Sequence, residues 1–414
     1  MDPLAEKDLT HLLHPATNLA QHRRTGPLVI ERGEGIYVWD RQGRRYIEGL
    51  AGLWCVALGY GEEALVEAAA AQMRKLAYGQ LFASRSHEPG ILLAERLQAW
   101  MPASRRHTGP WKFLYGNSGS DANDTQVKLV RYYNNVIGRP RKKKIIARLH
   151  GYHGVTVAAA SLTGLPAFHA HFDLPIDGVL HTACPHAFRH AEEGESDEQF
   201  ATRLAAELEA LIEREDPDTI AAMIAEPIMG AGGLIVPPET YYPKIRAVLD
   251  RHDILLIDDE VICGFGRLGT PMGCEAMDMV PDTVSLAKAL SSAYLPISAV
   301  AVPDWMHEAL IEPSEKLGAF AHGFTYSGHP VAAAVALRNL ELFEERDIVG
   351  HAARTGVHFQ KRLQALQGCR SSATSAGGDC SVASSWWPIR ARAGASTPAP
   401  RRLSASPPLP RRKA

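Results

Sequence analysis

The sequence predicts an α/β fold built on a largely parallel sheet. From about residue 112 onward, short apolar runs rich in β-forming residues alternate with segments of helical periodicity. One predicted strand leads into a glycine- and serine-rich loop that opens a helix, and another ends in a run of acidic residues. This alternation is typical of sheets covered by helices, which place their ligands at the carboxyl ends of the strands.

The elements are predicted from the hydrophobic period and from turn residues. Gly35–Leu50 is expected to form a hairpin around a turn at Asp40–Gly43. The predicted helices are Gly61–Leu76, Pro89–Trp100, Asp121–Tyr133, Phe200–Arg214, Tyr241–Arg251 and Val331–Phe343. The predicted strands are Lys112–Tyr115, Lys144–Ala147, Ile220–Ala225 and Ile254–Ile257.

Composition places the chain among ordinary globular proteins. Of its 414 residues, 46% are hydrophobic and 22% are charged, and the net charge is −2, so neither nucleic acid nor a membrane is expected as a partner. The six cysteines form no CxxC pair, which fits a reducing compartment. The first residues do not resemble a signal peptide, and no run reaches the ~18 apolar residues of a membrane span. We therefore expect a cytoplasmic protein.

The loop Gly116–Asn123 is a candidate phosphate site. A strand leads into small residues and a helix follows, so free backbone amides, the helix dipole and serine hydroxyls would converge on an anion. Many such turns only cap helices, and the loop alone does not distinguish the two readings.

The apolar strand Ile254–Ile257 presents Asp258, Asp259 and Glu260 at its carboxyl end. The next segment, Gly264–Gly269, matches the GxGxxG fingerprint of dinucleotide-binding proteins. That fingerprint requires a helix and then an acidic residue after the glycines, whereas here the residues after the glycines are unfavourable for starting a helix and the acids precede them. A P-loop ATPase is excluded because the chain contains no GxxxxGK[ST]. A solvated strand end would explain the three acidic residues but not the lysine segment that follows them.

Lys288 lies among small and apolar residues in Ser285–Ser292. Burial of a lysine lowers its pKa and makes its amine competent for a Schiff base, although a lone lysine more often extends along the surface to reach solvent. A phosphate loop, a carboxylate at Asp259 and a lysine 29 residues later together provide what a pyridine aldehyde phosphate requires.

These segments resemble the class III (subgroup II) aminotransferases, a branch of the fold-type I pyridoxal-phosphate enzymes, and especially the ω-amine:pyruvate transaminases. The resemblance runs from about Pro27 to about Gly368. It implies a large domain with a mainly parallel mixed sheet and a smaller α+β domain. The segments that carry it are GLWCVALGYG, NSGSDAN, GYHG, AEPIMGAGG, DDEVICGFGR, AKALSSAYLP and HGFTYSGHP.

The resemblance implies a role for each matching residue at the cofactor, pyridoxal 5′-phosphate. Lys288 would form the internal aldimine and then shuttle a proton, and Asp259 would keep the ring nitrogen protonated. Gly119 and Ser120 would bind the phosphate. The remaining predicted contacts are Tyr152 stacked on the ring, Val261 on the opposite ring face, and Glu226 supporting Asp259.

Two further roles concern the substrate and the oligomer. Trp54 would line the substrate pocket with Tyr152, and Thr325 would reach the phosphate of a neighbouring subunit, which implies a homodimer. The sequence departs from the family at Asp121, where Glu is usual, and at Ala289 and Ala293, where Gly is usual; we expect these changes to be tolerated.

No metal site is predicted. His181, Cys184, His186 and His190 do not follow the spacing of a closed zinc site. His150 and His153 flank Tyr152, and the resemblance places them beside the cofactor.

The resemblance implies a ping-pong transamination from a primary amine or ω-amino acid to a keto acid such as pyruvate. An aminomutase or decarboxylase on the same scaffold, a non-catalytic protein with a defective C-terminus, and, more remotely, a dehydrogenase stay open. The large domain is expected at residues 51–312, and the smaller domain would combine residues 1–50 with 313–368.

Residues 369–414 break the pattern. They contain eight Lys or Arg, nine Ser and six Pro but a single acid, Asp379. Such a tail is usually a disordered basic arm. We predict instead that it is read out of frame, because a neighbouring frame of Cys369–Trp387 can be read as LPLVGDVRGRGLLGGVELV, which resembles the family's next segment. The C-terminal domain would then be incomplete and activity low.

Overall fold

The computed structural model describes residues 2–104 and 109–365. The predicted hairpin, helices and strands are confirmed, with boundaries that differ by a few residues. The tail from 369, including the predicted frame change, lies outside the described residues. The strands are β1 Ile30–Glu34, β2 Tyr37–Asp40, β3 Arg45–Ile47, β4 Lys112–Gly116, β5 Lys144–Arg148, β6 Val179–Thr182, β7 Ile220–Ala225, β8 Leu255–Asp259, β9 Thr283–Leu286 and β10 Ser298–Val302.

Fourteen α-helical segments occur in the described ranges, together with short 3₁₀ turns such as Lys288–Ser291. The segments are α1 Pro3–His11, α2 Leu19–Thr25, α3 Ala51–Trp54, α4 Glu63–Lys75, α5 Glu88–Leu97, α6 Gly119–Val136, α7 Val157–Leu162, α8 Ala187–His190, α9 Asp197–Arg214, α10 Tyr241–Arg251, α11 Gly273–Ala276, α12 Asp304–Leu317, α13 Pro330–Glu345 and α14 Ile348–Gln364. None of the described helices has the length and apolar character of a membrane span.

The main sheet has seven strands in the order β4-β10-β9-β8-β7-β5-β6. β10 is antiparallel to both of its neighbours, and the other pairs are parallel. β4, β5, β7, β8 and β9 therefore end at the same edge. The sheet is consequently mixed but mainly parallel, as the sequence predicts, and it lies within the predicted large domain, whose boundaries stay predictions.

Alternate residues of the central strands enter two different cores, because successive side chains of a strand point to opposite faces. On β8, Leu256 packs with α5, α9, α10 and α13, whereas Leu255 and Ile257 pack with α6, α7 and α12. The strands are almost completely buried. Helices thus cover both faces, and the carboxyl edge of the sheet is the exposed place where a ligand can reach several strands at once.

Candidate active site

A cavity of about 380 Å³ lies at the carboxyl edge of the sheet. It adjoins the ends of β4, β8 and β9 and the segments that follow β5 and β7. Seven of the nine residues predicted for the site line it, whereas Trp54 and Thr325 do not. The seven are Gly119, Ser120, Tyr152, Glu226, Asp259, Val261 and Lys288.

The glycine loop leads directly into the first turn of α6, which is the arrangement that an anion site requires. Ser118 caps the helix by accepting a hydrogen bond from the amide of Asp121 (3.2 Å), whose carboxylate accepts one from the amide of Ser118 (3.1 Å). Asp121 therefore completes a capping box with its shorter side chain, which explains how it replaces the family's Glu. Gly119 and Ser120 follow the cap, so their amides have no acceptor in the preceding turn and can face an anion.

The loop leaves no space for a side chain at residue 119. A Cβ added to Gly119 would lie 2.7 Å from Cγ1 of Val261. The Ser120 hydroxyl accepts a hydrogen bond from the amide of Val155 (3.1 Å), which ties the loop to the segment after β5. Gly119 and Val261 thus form a close-packed wall of the cavity.

Asp259 is the most strongly fixed carboxylate of the cavity. Its side chain is 3% exposed, and its Oδ2 lies 2.8 Å from Nδ1 of His153 and 2.7 Å from the amide nitrogen of Asn123, which donates to it. The Val261 amide donates to the other oxygen (3.1 Å). Three neighbours therefore hold this acid in one orientation at the end of β8.

The sequence analysis placed Asn123 in the candidate phosphate loop but assigned it no role of its own. It lies one helical turn beyond Gly119 and Ser120, so the period of α6 could have placed it on the same face. Nothing local in the sequence indicates that its partner would be Asp259, 136 residues away. That contact arises because β4, which precedes α6, and β8 belong to the same sheet.

Glu226 is tied to the backbone of the site by hydrogen bonds, and its predicted support of Asp259 stays a prediction. Its two oxygens accept hydrogen bonds from the backbone amides of Tyr152 (2.9 Å) and Gly230 (2.8 Å), whereas its interaction with the nearby Asp259 carboxylate is a repulsion between like charges. Burial raises the pKa of this carboxyl group. Glu226 therefore positions the segment that carries Tyr152, whose half-buried ring packs edge to face on Phe168 (5.4 Å between centroids).

Lys288 follows β9 in a left-handed backbone conformation, with a φ of +50°. Burial lowers the pKa of its amine, and the carboxylates of Asp259 and Glu226 oppose that shift. The amine has no hydrogen bond or ion pair within the described ranges of the chain. A buried amine with a lowered pKa is the form of lysine that attacks a carbonyl group.

The two glycine-to-alanine departures differ in their structural effect. Ala289 is buried in the core and has an ordinary backbone conformation. Ala293 lines the cavity with a φ of +65°, a conformation that glycine adopts more readily. The structure accommodates both residues, but strain is confined to Ala293.

Trp54 and Thr325 lie outside this cavity. Trp54 ends α3, in which Ala51, Gly52, Leu53 and Trp54 all have positive φ, and its neighbour Cys55 lines the cavity instead. Thr325 is exposed between α12 and α13, where its carbonyl oxygen accepts a hydrogen bond from the Tyr78 hydroxyl (2.7 Å).

Comparisons with known proteins agree with this geometry. The family model for class III aminotransferases matches residues 19–374. The tomato protein named gamma aminobutyrate transaminase 3, chloroplastic, is 54% identical over 340 residues, which cover 82% of this chain and 65% of the relative. An Oryza sativa subsp. indica protein, named probable gamma-aminobutyrate transaminase 3, mitochondrial, is 53% identical over 86% of this chain and 69% of its own length.

Solved structures share the fold. A thermostable ω-transaminase four-fold mutant from Pseudomonas jessenii is 52% identical, with a TM-score of 0.86, over 89% of this chain and 80% of the other. The ω-transaminase from Pseudomonas jessenii in complex with PMP has the same identity and TM-score, over 88% of this chain and 80% of the other.

Pyridoxal 5′-phosphate is the cofactor of this family, and the residues of the cavity fit it. Gly119 and Ser120 would hold its phosphate, Asp259 its ring nitrogen and Lys288 its aldehyde carbon. The fit rests on three observations: the close approach of Gly119 to Val261, which a Cβ would prevent, the buried and firmly held Asp259 carboxylate, and the buried amine of Lys288. The chain belongs to the class III aminotransferase family, whose fold is that of the fold-type I pyridoxal-phosphate enzymes.

Proposed function

We propose that this chain catalyses transamination from a primary amine or ω-amino acid to a keto acid such as pyruvate, by a ping-pong mechanism. The observation that carries the proposal is the placement of a buried lysine amine and a fixed carboxylate in one cavity, with the phosphate loop on its wall. The names of the relatives, gamma-aminobutyrate transaminase and ω-transaminase, support an amine carried at the end of a chain as the donor.

The residues would divide the work between binding and proton transfer. Pyridoxal phosphate supplies an aldehyde that condenses with amines and a ring that withdraws electrons from the carbon beside the nitrogen. Asp259, oriented by Asn123 and His153, would hold the ring nitrogen in its protonated form. Lys288 would use its Nζ to remove a proton from the carbon that bears the amine. The same Nζ would return the proton to the carbon on the other side of the nitrogen.

The two half-reactions would then conserve atoms without an external oxidant. In the first, the donor amine would be released as a carbonyl compound, and the bound cofactor would supply the group that retains the nitrogen. In the second, the keto acid takes that nitrogen and leaves as an amino acid. The amine Nζ of Lys288 serves both directions because its pKa is lowered by burial, so that more of it is neutral at a given pH.

The test is to supply the holoprotein with γ-aminobutyrate or another ω-amino acid together with pyruvate. We expect alanine and the matching aldehyde in equal amounts, and neither product from Lys288→Ala. Release of carbon dioxide would indicate a decarboxylase, and a moved amino group without added keto acid would indicate an aminomutase. If the holoprotein forms no amine-dependent product with a range of amines and keto acids, the proposal is wrong.

We also propose a homodimer in which Thr325 completes the partner's phosphate site. Thr325 is exposed and does not line the cavity of its own chain, and the bond from Tyr78 fixes its backbone. Purified holoprotein should sediment as a dimer or larger, and Thr325→Ala should weaken cofactor binding without changing sedimentation. Full activity in a species that sediments as a monomer would contradict the proposal.

A further inference from the structure

An aspartate and two histidines converge in the N-terminal segment, far along the chain from the cavity residues. Asp8 lies on α1, His14 lies in the loop after it, and His22 lies on α2. Nε2 of His14 is 2.9 Å from Oδ2 of Asp8, and Nε2 of His22 is 3.0 Å from Oδ1. The two imidazole rings are 4.2 Å apart between centroids. Both rings therefore direct the same nitrogen at one carboxylate.

We propose that Asp8, His14 and His22 form a binding site for a divalent transition-metal ion of the zinc type. Neutral imidazole nitrogen and carboxylate oxygen are ligands that Zn²⁺ accepts, and three protein ligands leave a fourth position for water. Bonds of ~2.0–2.1 Å at tetrahedral angles would separate the ligand atoms by about 3.3 Å. The nitrogen–oxygen separations here would need to widen by a few tenths of an ångström.

The surroundings of the three side chains favour a cation. The groups that act on the Asp8 carboxylate are the two histidines, and the described residues give it no lysine or arginine partner. Neutral imidazoles would leave the cluster with one negative charge. Each ring can carry its proton on Nδ1 and offer the lone pair of Nε2 to a metal. The side chains are 13% exposed for Asp8, 29% for His14 and 13% for His22, so an ion can enter from solvent.

The two helices of the segment bury few residues. Ala5 is the single buried residue of α1, and α2 buries none. Leu12 and Leu13, which follow α1, are 63% and 81% exposed. A small unit without an apolar core is typically stabilised by a disulfide or a metal ion. The sequence analysis did not predict this site because its ligands are six and eight residues apart, and no regular motif has that spacing.

The test uses the full-length holoprotein without a histidine tag, freed of metal with a chelator. Titration with ZnCl₂ should show one tight site per chain, and Co²⁺ should give the visible absorption bands of a four-coordinate complex. His22→Ala and His14→Ala should each remove the bands and weaken Zn²⁺ binding at least about tenfold. His11→Ala, an exposed histidine on α1, is the matched control and should leave both unchanged.

Circular dichroism and the absorption of the bound cofactor will show whether each variant is folded. If a histidine-to-alanine variant does not fold, His22→Gln provides the same test with a side chain of similar size. Failure of the wild-type protein to bind Zn²⁺, or equal binding by folded His22→Ala, would overturn the proposal. These readouts are independent of transaminase activity.

Discussion

Two aspartates of this chain each contact imidazole nitrogen at hydrogen-bonding distance, in opposite surroundings. Asp259 is 2.8 Å from His153, with side-chain exposures of 3% and 0%, at the end of a sheet buried on both faces. Asp8 is 2.9 Å from His14 on a segment that buries one residue of α1 and none of α2. The same Asp–His pair therefore has a different structural role in each of the two regions. The sheet positions Asp259, whereas the contacts of Asp8 with His14 and His22 join α1 to the loop and the helix that follow it.

Hydrogen exchange should show the largest difference between the two regions. The amides of β7 and β8 are buried and hydrogen-bonded within the sheet, so they exchange when most of the protein opens. The amides of α1 and α2 should exchange orders of magnitude faster in metal-free protein. Similar exchange rates in both regions would show that the N-terminal helices unfold together with the sheet. That result would contradict the difference proposed between the two regions.

Asp259→Asn should slow turnover strongly. A neutral amide no longer favours a protonated ring nitrogen, so kcat should fall about 100-fold or more while some cofactor binding remains. Asp177→Asn, at an exposed aspartate, is the control and should keep wild-type kcat. Wild-type turnover in Asp259→Asn would remove Asp259 from the proposed mechanism.

The sequence predicted much of the sheet and the cavity because those features depend on local patterns. The strand Ile254–Ile257 and the loop Gly116–Asn123 carry apolar runs and capping residues that indicate their structure directly. The contact between Asn123 and Asp259, and the hydrogen bond from the Tyr152 amide to Glu226, depend on strand order, which a single sequence does not specify. The cluster at Asp8 depends on how two short helices meet, which the helical periods of the segment do not indicate.

Gly119→Ala should have an intermediate effect that is confined to cofactor binding. The new Cβ would lie 2.7 Å from Val261 Cγ1, so either the phosphate loop or the wall against the ring has to move. We expect the Kd for pyridoxal phosphate to rise about tenfold, which corresponds to about 1.4 kcal/mol. Gly49→Ala is the matched control, because a Cβ at residue 49 would meet nothing within 4 Å. Equal affinity in both variants would contradict the proposed phosphate site.

Asp258→Asn should produce the smallest change, and it acts on stability. Asp258 and Glu260 are fully buried, and their carboxylate oxygens lie within 4.8 Å of each other. Burial and the Glu260 carboxylate raise the pKa of Asp258, whereas Glu260 accepts a hydrogen bond from the Cys274 amide (2.6 Å). We therefore assign to Asp258 a proton that it retains in the folded protein.

The pH dependence follows from that proton. Above the pKa of an unfolded aspartate, near 4, the folded protein retains a proton that the unfolded chain has released, so wild-type stability falls as pH rises toward the raised pKa. Asparagine removes this penalty. The free energy of unfolding of Asp258→Asn should exceed that of wild type by about 1–2 kcal/mol at pH 8, and by less at pH 5. A difference independent of pH, with Asp177→Asn as the reference, would contradict the assignment.

The most direct test of the proposed site is the covalent position of the cofactor. The holoprotein should be reduced with borohydride, digested, and mapped by mass spectrometry for the pyridoxyl group. We predict a single modified peptide with the label on Lys288, and no labelled peptide from Lys288→Ala treated in the same way. A label on Lys142 or on any other lysine of the wild-type protein would contradict the assignment of the active site.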